Sequence, residues 1–296
     1  MSLVINNNLM AMNAARNLST SYKNLSTSVQ RLSSGLRVNS AADDAAGLAI
    51  RELMRADITA LNQGVRNAND AISLIQTADG ALGVIDEKLI RMKELAEQAA
   101  TGTYNSDQRL MIESEYQQMA SEITRIANST DFNGVYLLNG NLSGSVHDGS
   151  EMQSTGKLKV HFGSGNDSAE DYYYIQIGTA TASALGVGNS TNIENKAYTV
   201  STQQAAQRAL EGLNAAIISK DKIRANLGAM QNRLENTITN LTIQAENLQA
   251  AESRISDVDV STEMTNFVRN QILTQAAVAM LSQANSLPQM ALSLIG

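Results

Sequence analysis

Apolar residues recur along this chain in a three-four rhythm, which is the period of a helix and not of a strand. Leu18, Tyr22, Leu25, Val29, Leu32 and Leu36 step by four and three in turn, the a/d seam of a coiled coil. Ile58, Leu61, Val65, Ala68, Ile72 and Ile75 repeat the rhythm, which skips at Asp79 and resumes with Leu82, Ile85, Leu89, Met92, Ala96 and Ala99. The spacing predicts one very long helix with a phase shift, or two helices end to end, with Asp79-Gly80 as the weak point. Residues 101 to 107 break the pattern, and Asn105, Ser106 or Asp107 can cap a further helix that runs to about Asn128.

From Asp131 the character changes. Asn133-Gly134 and Asn139-Gly140 are turn dipeptides, and Gly and Ser become frequent. KLKVHF (157–162) and YYYIQIG (172–178), joined by a Gly/Ser/Asn/Asp stretch, read as a β-hairpin in which Tyr172, Tyr173 and Tyr174 are strand residues. Residues 141–156 and 186–196 read as polar, irregular surface. A helical signal returns near Ser201. The seam of Leu227, Met230, Leu234, Thr237, Leu241, Gln244, Leu248, Ala251, Ile255 and Val258 then alternates threes and fours without a miss. The last stretch continues with Leu273, Ala277, Met280, Ala284, Leu287, Ala291 and Leu294, and places Ile272, Val278 and Leu281 off that line. A helix apolar over most of its circumference has to be surrounded, which a two-helix hairpin cannot do. The fold class expected is therefore mainly α: a long antiparallel coiled-coil rod formed by the N- and C-terminal halves, with a small β-hairpin region at the tip.

Composition sharpens this picture at the two ends. Residues 1–30 carry only Arg16 and Lys23, and residues 261–296 only Glu263 and Arg269, although 17% of the chain is charged. Termini are ordinarily the solvated part of a domain, so apolar ones point to burial by other copies of the chain. With 3 Phe, no Trp and a single Pro, the apolar content suits thin helix seams and uninterrupted helices. No Cys is present, which removes disulfides, thiolate metal sites and a cysteine nucleophile. A net charge of −7 offers no basic footprint for nucleic acid. The first residues lack the basic leader and apolar run of a secretory signal peptide. The uncharged stretch after Arg269 is scattered with amides and hydroxyls that hydrocarbon would reject, so no membrane partner is expected. His147 and His161 have no metal-like spacing, and no catalytic constellation or cofactor is expected.

Four segments carry a resemblance to a known family. RLSSGLRVNSAADDAAGLAI (31–50) closely resembles the N-terminal signature of bacterial flagellin, with Val38 where Ile is commoner. ESRISDVDVSTEMTNFVRNQILTQAAVAMLSQANSLPQMALSLIG (252–296) resembles the flagellin C-terminus, and RMKELAEQAATGTYNSDQRLMIESE (91–115) and FNGVYLLNG (132–140) resemble family segments at the expected places. The likeness covers about four-fifths of the chain, all except about residues 141–200. Larger flagellins insert outer domains where this chain has only the hairpin, so the resemblance implies a short form with inner and rod domains alone.

What the resemblance implies is a secreted, extracellular filament subunit, exported unfolded with an export chaperone. It would polymerise under a filament cap next to hook-filament junction proteins, through terminal helices that order on assembly. It implies a terminal domain of residues 1–43 and 254–296, a rod domain of 44–140 and 197–253, and a variable region of 141–196 belonging to the rod. Self-assembly would rest on Leu18, Leu25, Leu32, Leu36, Leu273, Met280, Leu287 and Leu294. Arg37, Asn39, Asp43 and Asp44 would form the connector between inner and outer tubes. Arg91, Glu94, Leu95 and Glu115 would match the patch that binds Toll-like receptor 5, with Leu95 expected on the surface beside Arg91 as in a binding hot spot. The other readings of the same pattern are a hook-filament junction protein and a secreted coiled-coil ligand or effector.

Overall fold

The computed structural model describes residues 8–149, 155–168, 170–188 and 199–295. Its helices are α1 (Leu9–Ser34), α2 (Ala45–Ala100), α3 (Ser106–Ser129), the short α4 (Ala182–Leu185), α5 (Gln203–Ser256) and α6 (Val260–Ile295). Its strands are β1 (Asp131–Phe132), β2 (Val135–Tyr136), β3 (His147–Asp148), β4 (Thr155–Gly156), β5 (Leu158–His161) and β6 (Tyr172–Ile175), paired as three antiparallel two-stranded sheets. The chain divides into two compact units, Met1–Ile58 with Glu246–Gly296, and Thr59–Ala245.

The larger unit is built on α3 and on the parts of α2 and α5 that fall within it, with the strands packed against them. α2 runs unbroken through Asp79-Gly80. The expected skip is absorbed by Ala78, which is fully buried, so that 75, 78 and 82 carry the seam and Asp79 turns to the flank. Leu82, Ile85, Leu89, Met92, Ala96 and Ala99 form the buried line of α2, and Ile112, Tyr116, Ala120 and Ile123 of α3 and Ala209, Leu213, Ala216 and Leu227 of α5 are buried with them in the same unit. Each large side chain so buried contributes about 1.5–3 kcal/mol. Burial, together with the Glu113 carboxylate, pushes the Tyr116 phenol well above its ordinary pKa.

Two cross-helix ion pairs set the antiparallel run of α2 and α5. Arg224 is forked on Asp79 (2.7 and 3.1 Å), and Lys220, almost wholly buried, donates to Asp86 at 2.6 Å and also pairs with its neighbour Asp221 at 2.7 Å. α3 begins with a capping box in which Asn105 accepts from the Gln108 amide while Gln108 accepts from the Asn105 amide.

The hairpin of β5 and β6 has the expected strands, with Leu158 opposite Ile175 and His161 opposite Tyr172. Its inner face, Val160, Phe162 and Ile175, is buried, and Arg233 of α5 lies 3.5 Å from the Tyr173 ring centroid. Its seating on α2 depends on Gly64, where a β-carbon would fall 1.9 Å from the Phe162 carbonyl oxygen. Asn67 then donates to the His161 carbonyl at 2.8 Å. Within 141–156, expected to be irregular, β3 and β4 pair; before that stretch, β1 and β2 turn tightly on Asn133 (φ 51°) and Gly134 (φ 81°). These strands are two residues long, too short to leave an alternation in the sequence. Most of the expected irregular stretch 186–196 lies outside the described residues.

In the smaller unit α1 and α6 pack antiparallel. The Asn8 side chain donates to the Ala284 carbonyl at 2.7 Å, and at the other end Ser28 Oγ donates to Glu263 Oε1 at 2.5 Å, with Arg31 3.7 Å from the same carboxylate. The faces turned inward differ from the most apolar lines of the sequence. On α1 they are Ala11, Ala14, Leu18, Ser21, Leu25, Ser28 and Leu32, while Tyr22 and Val29, expected in the seam, are exposed. On α6 they are Glu263, Phe267, Asn270, Thr274, Ala277, Leu281 and Ala284, while Leu273 and Met280 point out. Leu36 lies beyond the end of α1, where Gly35 caps the helix, and Val258 lies beyond the end of α5.

Candidate assembly surface

The smaller unit is inside out by the standard of a globular core. Val38 and Ala284 are its only buried hydrophobic residues among those described. Large apolar side chains stand in solvent along both terminal helices: Leu9, Met12, Tyr22 and Val29 on α1, and Val260, Met264, Val268, Ile272, Leu273, Val278 and Met280 on α6. Ala, Ser and Thr alternate with leucines and Phe267 in the seam, and the other large apolar residues of the two helices face out. A contiguous apolar surface of this kind on an otherwise well-packed chain marks an interaction site. Of the residues expected to drive self-assembly, Leu18, Leu25 and Leu32 are half-buried between α1 and α6, and Leu273 and Met280 lie on the outward face. The side chains of Leu287 and Leu294 lie outside the described residues.

The segment between α1 and α2 is fastened on both sides. Leu36 pairs with Asp257 in an isolated antiparallel bridge, the Arg37 amide donates to the Ser256 carbonyl at 2.6 Å, and the Val258 amide donates to the Gly35 carbonyl at 3.0 Å. The Arg37 guanidinium adds a bond to the Ile255 carbonyl at 2.6 Å, at the C-terminal end of α5 where a cation is favoured. Opposite, the buried Arg51 of α2 donates to the Val38 carbonyl at 2.8 Å and is paired with Glu52 at 2.7 Å.

The turn itself is folded by Asp43, whose carboxylate accepts from the Ser40 amide and hydroxyl and from the Asn39 amide. Those bonds, the Ser40 amide foremost, hold the Asp43 carboxyl below the usual carboxylate range. Asp44 caps α2 by accepting from the Gly47 amide at 2.9 Å. Asp259 does the same for α6, and its bonds from the Thr262 hydroxyl, the Thr262 amide and the Ser261 amide lower its carboxyl too. Arg37, Asp43 and Asp44 are thus engaged by side chain, and Asn39 by its amide. Arg51 and Asp259 complete the arrangement without having stood out in the sequence, where a lone Arg in a helix and an Asp before one are common.

A second cluster joins α2 to α3. Arg91 Nε and a terminal nitrogen both donate to Glu115 Oε1 (3.0 and 2.9 Å), and the other terminal nitrogen donates to Glu94 Oε2 at 2.8 Å. Glu94 and Glu115 together raise the Arg91 pKa further. The three charged residues are exposed. Leu95 is not: at 1% exposure it belongs to the core between α2 and α3, and the expectation of a surface leucine beside Arg91 is overturned. At i+4 from Arg91 it lies on the inward side of the face that the two share at its edge.

Among the described residues no group of three or more His, Asp or Glu is placed to hold a metal ion, and no helix is long and apolar enough to cross a membrane.

The family model for the bacterial flagellin N-terminal helical region matches residues 5–143, and that for the C-terminal helical region matches residues 210–295. The flagellin of Halalkalibacterium halodurans is 43% identical over 293 residues, covering 99% of this chain and 100% of that protein. Flagellin FlaB2 of Treponema pallidum is 41% identical over 293 residues, again covering 99% and 100%. Among solved structures, a putative flagellar hook-associated protein from Vibrio parahaemolyticus has the same fold, with a TM-score of 0.56 at 12% identity over 73% of this chain and 100% of that one.

Proposed function

Because this chain belongs to the bacterial flagellin family, as a short form without a large outer domain and as a structural protein and not an enzyme, we propose that it builds the extracellular flagellar filament by polymerising through the outward faces of α1 and α6. The observation that carries this reading is the exposure in the smaller unit, where even Leu18, Leu25, Leu32, Phe267 and Leu281 are only half-buried in the helix pair and Ile272, Met280, Tyr22 and Val29 face outward. Burying such side chains against further copies recovers about 25 cal/mol for each Å² of apolar surface. The terminal helices then order as the polymer grows, in the manner of segments that fold on binding. The Arg37 and Arg51 fastenings act as the connector that ties the turn after α1 to the end of α5 and the start of α2. The family reading adds an export chaperone, a filament cap and hook-filament junction proteins as partners.

Heating and cooling the purified chain and imaging it by negative stain tests the proposal. Filaments are expected from the full chain, and a chain lacking residues 270–296 should stay soluble without forming them. Filaments from the shortened chain would refute the assignment of α6.

The Arg91, Glu94 and Glu115 cluster favours a second role, contact with Toll-like receptor 5. Its three side chains are pre-organised on the surface by ion pairs across two helices. Arg91→Ala should sharply reduce activation of a receptor reporter cell without lowering helical content, and unchanged signalling would refute it. Leu95 has no place in that test, since its removal would open the core.

A further inference from the structure

We propose that polymerisation of this chain is switched off by oxidation of the methionines on its terminal helices. The proposal rests on the assignment of α1 and α6 as assembly faces and adds a chemical control over them. The chain has 12 Met and no Cys, so any sulfur oxidation falls on thioethers. Their placement is uneven. Met92 is fully buried in the larger unit, and Met54, Met119 and Met230 are half-buried. Met10, Met12, Met264, Met280 and Met290 all stand exposed on α1 and α6, Met280 at 62%. Met111 of α3, at 73%, is the one comparably exposed methionine elsewhere among the described residues. Met10 and Met280 line one groove of about 730 Å³ between α1 and α6, and Met264 continues the row of Val260 and Val268 at helical spacing.

The reaction is a two-electron oxidation by a peroxide. The thioether sulfur attacks one peroxide oxygen, an S–O bond forms as the O–O bond breaks, and the second oxygen takes up the proton of the first and leaves as water. Methionine becomes its sulfoxide while hydrogen peroxide is reduced. A flexible apolar side chain turns into one with a strongly polar S=O group, which has to be desolvated if the face is to pack against another copy. On faces that hold almost no charge, this is a large change in polarity. The reaction reaches the unassembled chain, because packing in the polymer covers the same sulfur atoms. It is reversible by methionine sulfoxide reductases.

The test uses the full chain treated with hydrogen peroxide, sulfoxides mapped by peptide mass spectrometry, and polymer mass measured by sedimentation after heating and cooling. Conversion of Met10, Met12, Met264, Met280 and Met290 should raise the critical concentration by about tenfold or more, equivalent to about 1.4 kcal/mol per subunit added. Reductase treatment should restore it. A variant with those five residues replaced by Leu should polymerise as well after peroxide as before, whereas Met111→Leu should stay as sensitive as the parent. In preformed filaments the five sulfur atoms should oxidise far more slowly than in the soluble chain. A fully oxidised chain that polymerises like the untreated one overturns the proposal. So does loss of polymer that the five-Leu variant shares, or that reductase fails to reverse. An untreated chain that forms no polymer refutes instead the assembly reading beneath it.

Discussion

Replacing Gly64 by Ala and Gly80 by Ala, one change at a time, should move stability in opposite directions although both glycines lie in the same helix. At Gly80 a β-carbon meets nothing within 4 Å, so the substitution only removes the cost of glycine in a helix, about 1 kcal/mol. At Gly64 the added carbon would sit 1.9 Å from the Phe162 carbonyl oxygen, 2.7 Å from its carbonyl carbon and 2.9 Å from its Cα. All three are backbone atoms, so no rotamer change relieves the overlap and the hairpin has to move off α2. That costs about 1–3 kcal/mol of overpacking and the Asn67 to His161 bond, worth about 1 kcal/mol, against the same helix gain. The net loss is about 2 kcal/mol. For a unit of this size these figures become a rise of about 2–4 °C for Gly80→Ala and a fall of about 4–8 °C for Gly64→Ala.

The assay is thermal unfolding of the full chain followed by near-ultraviolet circular dichroism. Every tyrosine except Tyr22 falls within Thr59–Ala245, so the signal reports on the larger unit. Equal or reversed shifts for the two variants would refute the seating of the hairpin on α2.

Lys220→Ala should cost about 3 kcal/mol or more, read as a lower urea midpoint, because it opens a cavity and strips Asp86 of its cation. Asn105→Ala removes the capping box of α3 and should cost about 1 kcal/mol by the same measurement. Asp43 and Asp259 have folded pKa values below the ordinary carboxylate value, so their stabilisation is present at neutral pH and above that value, and is lost as pH falls through the lowered folded values. The double variant Asp43→Asn, Asp259→Asn should therefore be less stable than the parent at neutral pH, with the gap closing in acid. A gap that persists at the acid end would place their effect elsewhere.

The helices were legible because their rhythm is long. The seam of α5 holds from Leu227 to Leu241 as read, and departs only where Ala245 replaces Gln244 on the inward side. The hairpin was legible from its alternation and turn residues, and the cap of α3 from Asn105. What the sequence misplaced was the phase of the terminal seams. Leu18, Leu25, Leu32, Ala277 and Ala284 of the expected seams turn inward as read, whereas Tyr22, Val29, Leu273 and Met280 face out, and Ser21, Ser28 and Thr274, which hydrophobicity ranks low, complete the inner line. Two overlapping periodic lines run along each helix, and composition does not say which one faces the partner within the chain. Leu95 failed for a related reason: it sits one residue before Ala96 of the seam, and both are buried.

The two ion pairs between α2 and α5 also have a mechanical meaning. Arg224 with Asp79 and Lys220 with Asp86 face each other across antiparallel helices, so a pull along the long axis loads both in shear at once and not one after the other. Sliding one helix past the other by a single turn, about 5.4 Å, separates both pairs together and drags the buried Lys220 ammonium away from the Asp86 carboxylate. They work as gear teeth on an otherwise smooth apolar track.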